Sequence, residues 1–312
     1  MSVEVSKVAP GDLVRDRRVP VKVTTSGHIT EIQYMSRRNH SQTIQMLDGG
    51  EEYLVVRTGE IKKVCKGESR SDNKKGLAKT FKKLRDIINA NVTDVTKVRW
   101  CTLTYAENMQ DTKRLYKDFE AFNKRFQRYV KSRGWSKPEY ISVAEPQARG
   151  AWHLHLLYIW QDQTAPYIPN DVFADLWGHG FVRIGKLEDV DNVGAYLTAY
   201  LGDVELNQDN LKEVAKLTGG NLELWRKYST KETEDKKYIK GGRLCMYPSN
   251  FNIWRSSRGV KQPVVEMMSQ EEAEKKVLGA TKTFEKTVKI TDTEHHFTSV
   301  ISTEYYNNLR EL

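Results

Sequence analysis

The pattern of apolar and polar positions is most regular between residues 96 and 203. Four stretches in this region alternate or run apolar in the way that is typical of strands. They span residues 98–105, 139–145, 150–160 and 181–187. Three further stretches place apolar residues at helical spacing, and they span residues 111–133, 169–177 and 191–201. This order predicts an α+β fold with a four- to five-stranded antiparallel sheet and flanking helices.

The flanking regions have a weaker pattern. Residues 28–34 and 52–57 alternate as short strands do, and Asp48-Gly49-Gly50 is a typical turn sequence. Residues 77–90 have helical spacing and a basic outer face. We therefore predict three consecutive parts of the chain. They are a β-rich N-terminal part with a basic helix (1–95), a central domain (96–203) and a basic, aromatic C-terminal extension (204–312).

Composition limits the class of protein. The 312 residues are 38% hydrophobic and 29% charged, which is typical of a globular chain. No apolar run reaches the length of about 18 residues that a membrane helix needs. Residues 1–20 contain no apolar segment, so we expect no secretory signal. The cysteines are Cys65, Cys101 and Cys245, and their odd number and wide spacing favour reduced thiols in a cytosolic protein.

The positive charge is unevenly distributed. The net charge of +9 favours an anionic partner. Residues 236–262 hold seven Lys or Arg and no acid, together with Tyr238, Tyr247, Phe251 and Trp254. Cations interleaved with aromatic rings suit single-stranded nucleic acid, because phosphates pair with the cations and bases stack on the rings. The alternative is a solvated basic face whose aromatic residues turn into the core.

Two histidines interrupt the most apolar predicted strand. Because side chains alternate along a strand, His153 and His155 point to the same face. Glu145, at the end of the preceding strand, lies eight and ten residues before them, so in a hairpin without a bulge it can share that face. Two imidazoles and a carboxylate predict a site for Mg²⁺ or Mn²⁺. The alternative is a pair of hydrogen-bonded core histidines and a surface acid.

Two tyrosines lie in the last predicted helix of the central domain. Tyr196 and Tyr200 are four residues apart, so they lie one turn apart on the same helix face. A tyrosine can act as a covalent nucleophile where metal or base chemistry supports it. Tyrosines at this spacing also serve simply as packing residues, and that alternative stays open at this point.

Taken together, these features resemble the rolling-circle replication initiators of the HUH endonuclease class, named for histidine, hydrophobic residue, histidine. Residues 100–105, Trp-Cys-Thr-Leu-Thr-Tyr, resemble the first motif of that class. Residues 153–155 match its metal motif, with Glu145 as the upstream acid. Residues 196–200, Tyr-Leu-Thr-Ala-Tyr, match its tyrosine motif in the two-tyrosine form.

The chain departs from the class at one position of the tyrosine motif. Many members have a lysine immediately before the second tyrosine, and this chain has Ala199 there. Arg183 and Lys186 are then the candidates to neutralise the phosphate.

The resemblance implies a fold and an activity. It implies a ferredoxin-like or RRM-like HUH core and a metal-dependent endonuclease and strand transferase acting on single-stranded DNA. Such an enzyme nicks origin DNA, forms a 5′-phosphotyrosine link and releases a 3′-hydroxyl that primes synthesis. It also implies a plasmid, integrative element or phage gene expressed in the bacterial cytosol. No complete phosphate-binding loop of an ATPase is present in the sequence, so a host helicase and a host polymerase are the implied partners.

Nine residues are candidates for DNA contacts. They are Thr102, Thr104, Arg149, Trp152, Arg183, Lys186, Arg243, Arg255 and Arg258. Two other functions remain open from the residues alone. One is a nucleic-acid-binding protein without enzymatic activity, and the other is a nuclease that uses water and leaves no covalent adduct.

Overall fold

Antiparallel sheets and helices make up the described part of the chain, which confirms the α+β class. The computed structural model describes residues 3–9, 12–38, 43–65, 67, 69–147, 149–187, 192–198, 201, 204–206, 230–233, 236–239, 243–293 and 296–310. No helix within these ranges is both long and apolar enough to cross a membrane.

The elements of regular structure in these ranges are as follows. The strands are β1 (Val3–Lys7), β2 (Val21–Ser26), β3 (Ile29–Met35), β4 (Ile44–Met46), β5 (Glu52–Val55), β6 (Glu60–Lys63), β7 (Val98–Thr104), β8 (Glu139–Pro146), β9 (Trp152–Ile159), β10 (Val182–Lys186), β11 (Val204–Leu206), β12 (Thr230–Thr233), β13 (Lys236–Ile239), β14 (Trp254–Ser256), β15 (Val264–Met268), β16 (Thr281–Asp292) and β17 (Phe297–Asn307). The helices are α1 (Lys74–Asn91), α2 (Thr112–Ser132), α3 (Asn170–Trp177), α4 (Val193–Thr198) and α5 (Gln270–Lys276).

The chain packs as two units that do not follow its order. Residues 67–262 form the central unit, and residues 1–66 together with 263–312 form the terminal unit. The terminal unit contains a six-stranded sheet in the order β1-β16-β17-β3-β2-β15, so strands from both ends of the chain pair with each other. The division into three functional parts at residues 95 and 203 stays a prediction.

A five-stranded antiparallel sheet organises the central unit. Its order is β10-β7-β9-β8-β14, with the histidine strand β9 in the middle. Four of its strands are those that the alternation predicted, and the fifth, β14, comes from the predicted C-terminal extension and pairs with β8. Smaller three-stranded sheets have the orders β11-β13-β12 and β4-β5-β6.

The long helix α2 covers one face of this sheet. It begins where the carboxylate of Asp111 accepts hydrogen bonds from two backbone N–H groups of the first turn, at 2.8 and 3.2 Å. Its buried stripe consists of Leu115, Phe119, Phe122, Phe126 and Val130. The ring of Phe126 lies 4.5 Å from that of Tyr158 on β9, measured between centroids. Because Tyr158 and His155 are an odd number of residues apart, α2 lies on the face opposite to the histidines.

The other face of the sheet lies near α1. Val143 pairs with both His155 and Trp254, so these three residues share one face. The ammonium nitrogen of Lys83, on α1, is 5.8 Å from the centre of the Trp254 ring. The predicted basic helix is therefore present, and it lies on the histidine face of the sheet.

Candidate metal centre

Three side chains from two neighbouring strands converge on the histidine face. In the register of β8 and β9, Glu145 lies directly opposite His153. One carboxylate oxygen of Glu145, Oε2, is 3.2 Å from Nε2 of His153 and 3.1 Å from Nε2 of His155. The two Nε2 atoms are 2.9 Å apart. The three residues thus form a group that could hold a metal ion, as the even spacing in the sequence predicted.

The separations between the three ligand atoms suit octahedral coordination. Neighbouring ligands of an octahedral ion are about 1.4 times the bond length apart, which is about 3.0 Å for a Mg²⁺–ligand distance of about 2.1 Å. A tetrahedral ion with bonds of that length would need ligands about 3.4 Å apart. The observed separations of 2.9, 3.1 and 3.2 Å are closer to the octahedral value. The donor set therefore fits Mg²⁺ or Mn²⁺ with positions left for other oxygen ligands.

The protonation states of the group also suit a cation. Burial alone would raise the pKa of the Glu145 carboxyl. Hydrogen bonds from both histidines, together with the charge of Arg243, instead hold that pKa well below its usual range. Burial lowers the pKa of His153, so its imidazole is neutral and can offer a lone pair. Among the described residues, Nδ1 of His153 has no hydrogen-bond partner, which leaves Nε2 to make the polar contacts of this ring.

His155 is held in place by two residues of β7. Thr102 lies opposite His155, and its hydroxyl oxygen is 3.3 Å from Nδ1 of the imidazole. The indole of Trp100 stacks on the same ring, with centroids 5.1 Å apart and planes at 11°. A partner on Nδ1 directs Nε2 towards the centre, as outer partners do in many metal sites. Thr102, predicted as a DNA contact, therefore has a contact that orients a candidate ligand.

Arg243 brings a cation to the centre from a distant part of the sequence. Its Nη1 atom forms an ion pair with Oε1 of Glu145 at 2.9 Å, while Oε2 faces the histidines. The two carboxylate oxygens thus have separate partners. Arg243 was predicted from composition as a DNA contact, but no spacing rule indicated its place beside Glu145. Only its position in a basic segment without acids pointed to it.

The first tyrosine lies on a helix that docks against α1. Tyr196 is on α4 with 44% of its surface exposed. Ala199 and Tyr200 lie outside the described residues. The tyrosine motif is therefore described only at its first tyrosine.

The start of α4 is locked to α1 by two asparagines. The side-chain oxygen of Asn192 accepts a hydrogen bond from the backbone N–H of Ala195 at 2.9 Å. The buried Asn89 on α1 donates to that same oxygen at 3.0 Å and accepts from the N–H of Gly194 at 2.7 Å. A Cβ atom at Gly194 would lie 2.4 Å from the carbonyl oxygen of Arg85, so only glycine allows this close approach. The direction of the tyrosine helix is thus fixed one turn before Tyr196.

The candidate cations lie on different faces of the sheet. Arg183 pairs with Thr102 and shares the histidine face. Lys186 and Arg255 have the opposite parity in the register, so they project from the face that α2 covers. The guanidinium of Arg255 lies over the ring of Tyr116, with Cζ 3.3 Å from the ring centre. Among the candidate cations, Arg183 and Arg243 are the two placed on the side of the candidate ligands.

The remaining candidates for DNA contacts have varied surroundings. Trp152 is 3% exposed, and its indole N–H donates to a backbone carbonyl at 3.0 Å, so its ring is not accessible to a base. The hydroxyl of Thr104 donates to another backbone carbonyl at 2.7 Å. Arg149 donates to the carbonyl of Tyr105 at 3.1 Å, and Arg258 is exposed. The assignment of these residues to DNA stays a prediction.

A family model of replication-associated proteins, described by the name ORF2, matches residues 98–205, about a third of the chain. This match supports a replication initiator family, suggests DNA as a partner and is compatible with a nicking endonuclease. The matched range contains the three candidate ligands, the helices and strands from β7 to β10 and the tyrosine helix. No curated protein and no solved structure matches the chain.

Proposed function

We propose that this protein is a rolling-circle replication initiator that nicks and rejoins single-stranded DNA through a tyrosine. The observation that carries the proposal is the triangle formed by Glu145, His153 and His155. It lies within the range matched by a replication-associated family and precedes the helix that bears Tyr196. We also propose, on the HUH resemblance alone, the two-tyrosine form, the bacterial cytosol and recruitment of a host helicase and polymerase.

The chain's own residues supply binding, orientation and the nucleophile. A divalent ion held by the three ligands would polarise the scissile phosphate and neutralise the charge that develops on it. Arg243 and Glu145 cancel each other's charge, so the positive charge of an ion would remain available to the phosphate. Thr102 and Trp100 keep His155 directed towards the centre. The backbone of β8 and β9 fixes the ligands before DNA binds.

The covalent step exchanges one phosphate ester for another. The phenol oxygen of Tyr196 attacks phosphorus and loses its proton to solvent, while the bond from phosphorus to the 3′-oxygen breaks. The 3′-oxygen takes up a proton and becomes a free hydroxyl, and the 5′-phosphate stays on the tyrosine. Because the number of phosphate ester bonds is unchanged, the reverse step can rejoin strands without ATP. The second tyrosine, Tyr200, would accept the next transfer.

One assay separates this function from its two alternatives. Purified protein is incubated with labelled single-stranded DNA and Mn²⁺, and the products are run on a denaturing gel with an EDTA control. A protein–DNA band that survives denaturation is the expected result. Cleavage without that band would indicate a hydrolytic nuclease, and binding without cleavage would indicate a nucleic-acid-binding protein. Either of these outcomes would contradict the tyrosine mechanism.

The lock between α1 and α4 gives a separate prediction. Asn89→Asp keeps an acceptor for the N–H of Gly194, but it places a carboxylate oxygen against the side-chain oxygen of Asn192. The resulting repulsion should shift α4, and we expect nicking to fall about 10- to 100-fold because small displacements of a nucleophile are costly. Binding of Mn²⁺, measured by calorimetry, should stay at the wild-type value.

Asn91→Asp is the matched control for this variant. Asn91 is on the same helix, but its side chain bonds the carbonyls of Ile87 and Lys261 and not α4. Equal nicking rates for the two variants, at equal thermal stability, would show that Asn89 does not position the tyrosine helix.

A further inference from the structure

A second basic surface lies on the side of α2 that faces away from the sheet. The apolar stripe of α2 is buried, whereas Lys124, Arg128 and Lys131 are exposed and spaced by four and three residues. This spacing places the three cations on one face of the helix. Because α2 covers the sheet face opposite to the histidines, this surface is remote from the candidate metal centre.

These cations line a cavity with one aromatic wall. The cavity has a volume of about 420 Å³ and is lined by Lys124, Gln127, Arg128, Val130, Lys131, Trp135 and Lys137. The lining includes four cations and no acid. Within the part of the chain that the structure describes, none of the four forms an ion pair. A cavity with uncompensated positive charge favours an anionic occupant.

The end of α2 fixes the position of the aromatic wall. Gly134 has φ +71°, a left-handed conformation that ends the helix and reverses the chain. Its N–H bonds the carbonyl of Lys131 at 3.1 Å, and the N–H of Trp135 bonds that of Val130 at 3.2 Å. This pair of bonds is the Schellman motif, which brings the residue after the glycine onto the helix. The half-buried indole of Trp135 also meets the ring of Tyr129 edge-on, at 5.9 Å and 79°.

We propose that this cavity binds a segment of single-stranded DNA other than the one cut at the metal centre. Phosphates would pair with Lys124, Arg128, Lys131 and Lys137, and a base would stack on Trp135. The bases of a duplex are stacked on one another, so only an unpaired base can reach the indole. The proposal rests on the proposed function for the identity of the anion as DNA. It does not depend on the nicking mechanism.

The test compares two double variants of the same helix. Lys124→Gln/Lys131→Gln removes two cations from the cavity, and Lys113→Gln/Lys117→Gln removes two exposed cations of α2 outside it. Gln forms helices nearly as well as Lys, so both variants should fold. The Kd for a labelled oligothymidine of about 30 nucleotides, long enough for several contacts, is measured by fluorescence anisotropy in EDTA over a range of salt concentrations.

The expected results differ in size and in salt dependence. The cavity variant should bind about tenfold more weakly, and its slope of log K against log salt should be smaller by about 1.4, since each lost phosphate contact removes about 0.7. The control variant should change the slope by less than half of that. Trp135→Ala should weaken binding about fivefold or more with an unchanged slope, and Trp135→Phe should restore most of the affinity.

Two outcomes would overturn the proposal. One is equal weakening by the cavity and control variants, which would show a general charge effect. The other is an equal loss of affinity for duplex and single-stranded DNA in Trp135→Ala, which would exclude base stacking. A failure of the tyrosine mechanism appears instead in the denaturing gel, so the two results are distinguishable.

Discussion

Glu145→Ala, His153→Ala and His155→Ala are each expected to abolish metal-dependent cleavage while keeping most single-strand binding. Binding rests on distributed cations, whereas metal affinity rests on these three ligands. Metal stabilisation of a phosphoryl transition state is worth several kcal/mol, so we expect rate losses of about 100-fold or more. Cleavage is measured with labelled single-stranded DNA and Mn²⁺, and binding by anisotropy in EDTA.

Thermal unfolding provides a readout that is independent of activity. At a Mn²⁺ concentration of about 100 times Kd, the free energy of unfolding of the wild-type protein should rise by about 2.7 kcal/mol. The three variants should show no such rise. Glu139→Ala is the matched control, because Glu139 is on the same strand and face as Glu145 but bonds the N–H of Gly259. If Glu145→Ala cleaves like the wild-type protein, the third ligand has been misassigned.

Tyr196→Phe is expected to lower initial nicking more than Tyr200→Phe, and only the double variant should lose all covalent adduct. We expect a loss of about 100-fold for Tyr196→Phe and less than about tenfold for Tyr200→Phe, because the first removes the initiating nucleophile. Phe keeps the ring and removes only the hydroxyl, so a packing role would survive the change. Nicking rates come from single-turnover gels.

Mass spectrometry of the trapped adduct identifies the linked residue. Tyr196 is 44% exposed, whereas Tyr158 is 1% exposed with its hydroxyl bonded to Asn123 at 3.0 Å. Tyr158→Phe is therefore the control, and it should leave the adduct intact. DNA found on Tyr158 or Tyr238 would sink the assignment to the tyrosine helix.

The sequence by itself determined the features that depend on local periodicity. The period of two along a strand put His153 and His155 on one face, and the even separation from Glu145 placed it opposite them in the hairpin. The spacing of apolar residues likewise predicted α2 and the strands of the central sheet except β14. These features could be predicted because neighbouring residues fix the direction of each side chain.

Only the tertiary structure decided which distant residues join the site. Arg243 reaches Glu145, and Asn89 reaches the start of α4, across long stretches of intervening chain. The register of β10 and β14 placed Lys186 and Arg255 on the face opposite to the histidines. Strands from the two ends of the chain share one sheet, which no local pattern indicated. Periodicity states which face a residue occupies on its own element. Which elements meet is decided by the burial and hydrogen bonding of the whole fold, so the partners of these residues could not be derived from the sequence.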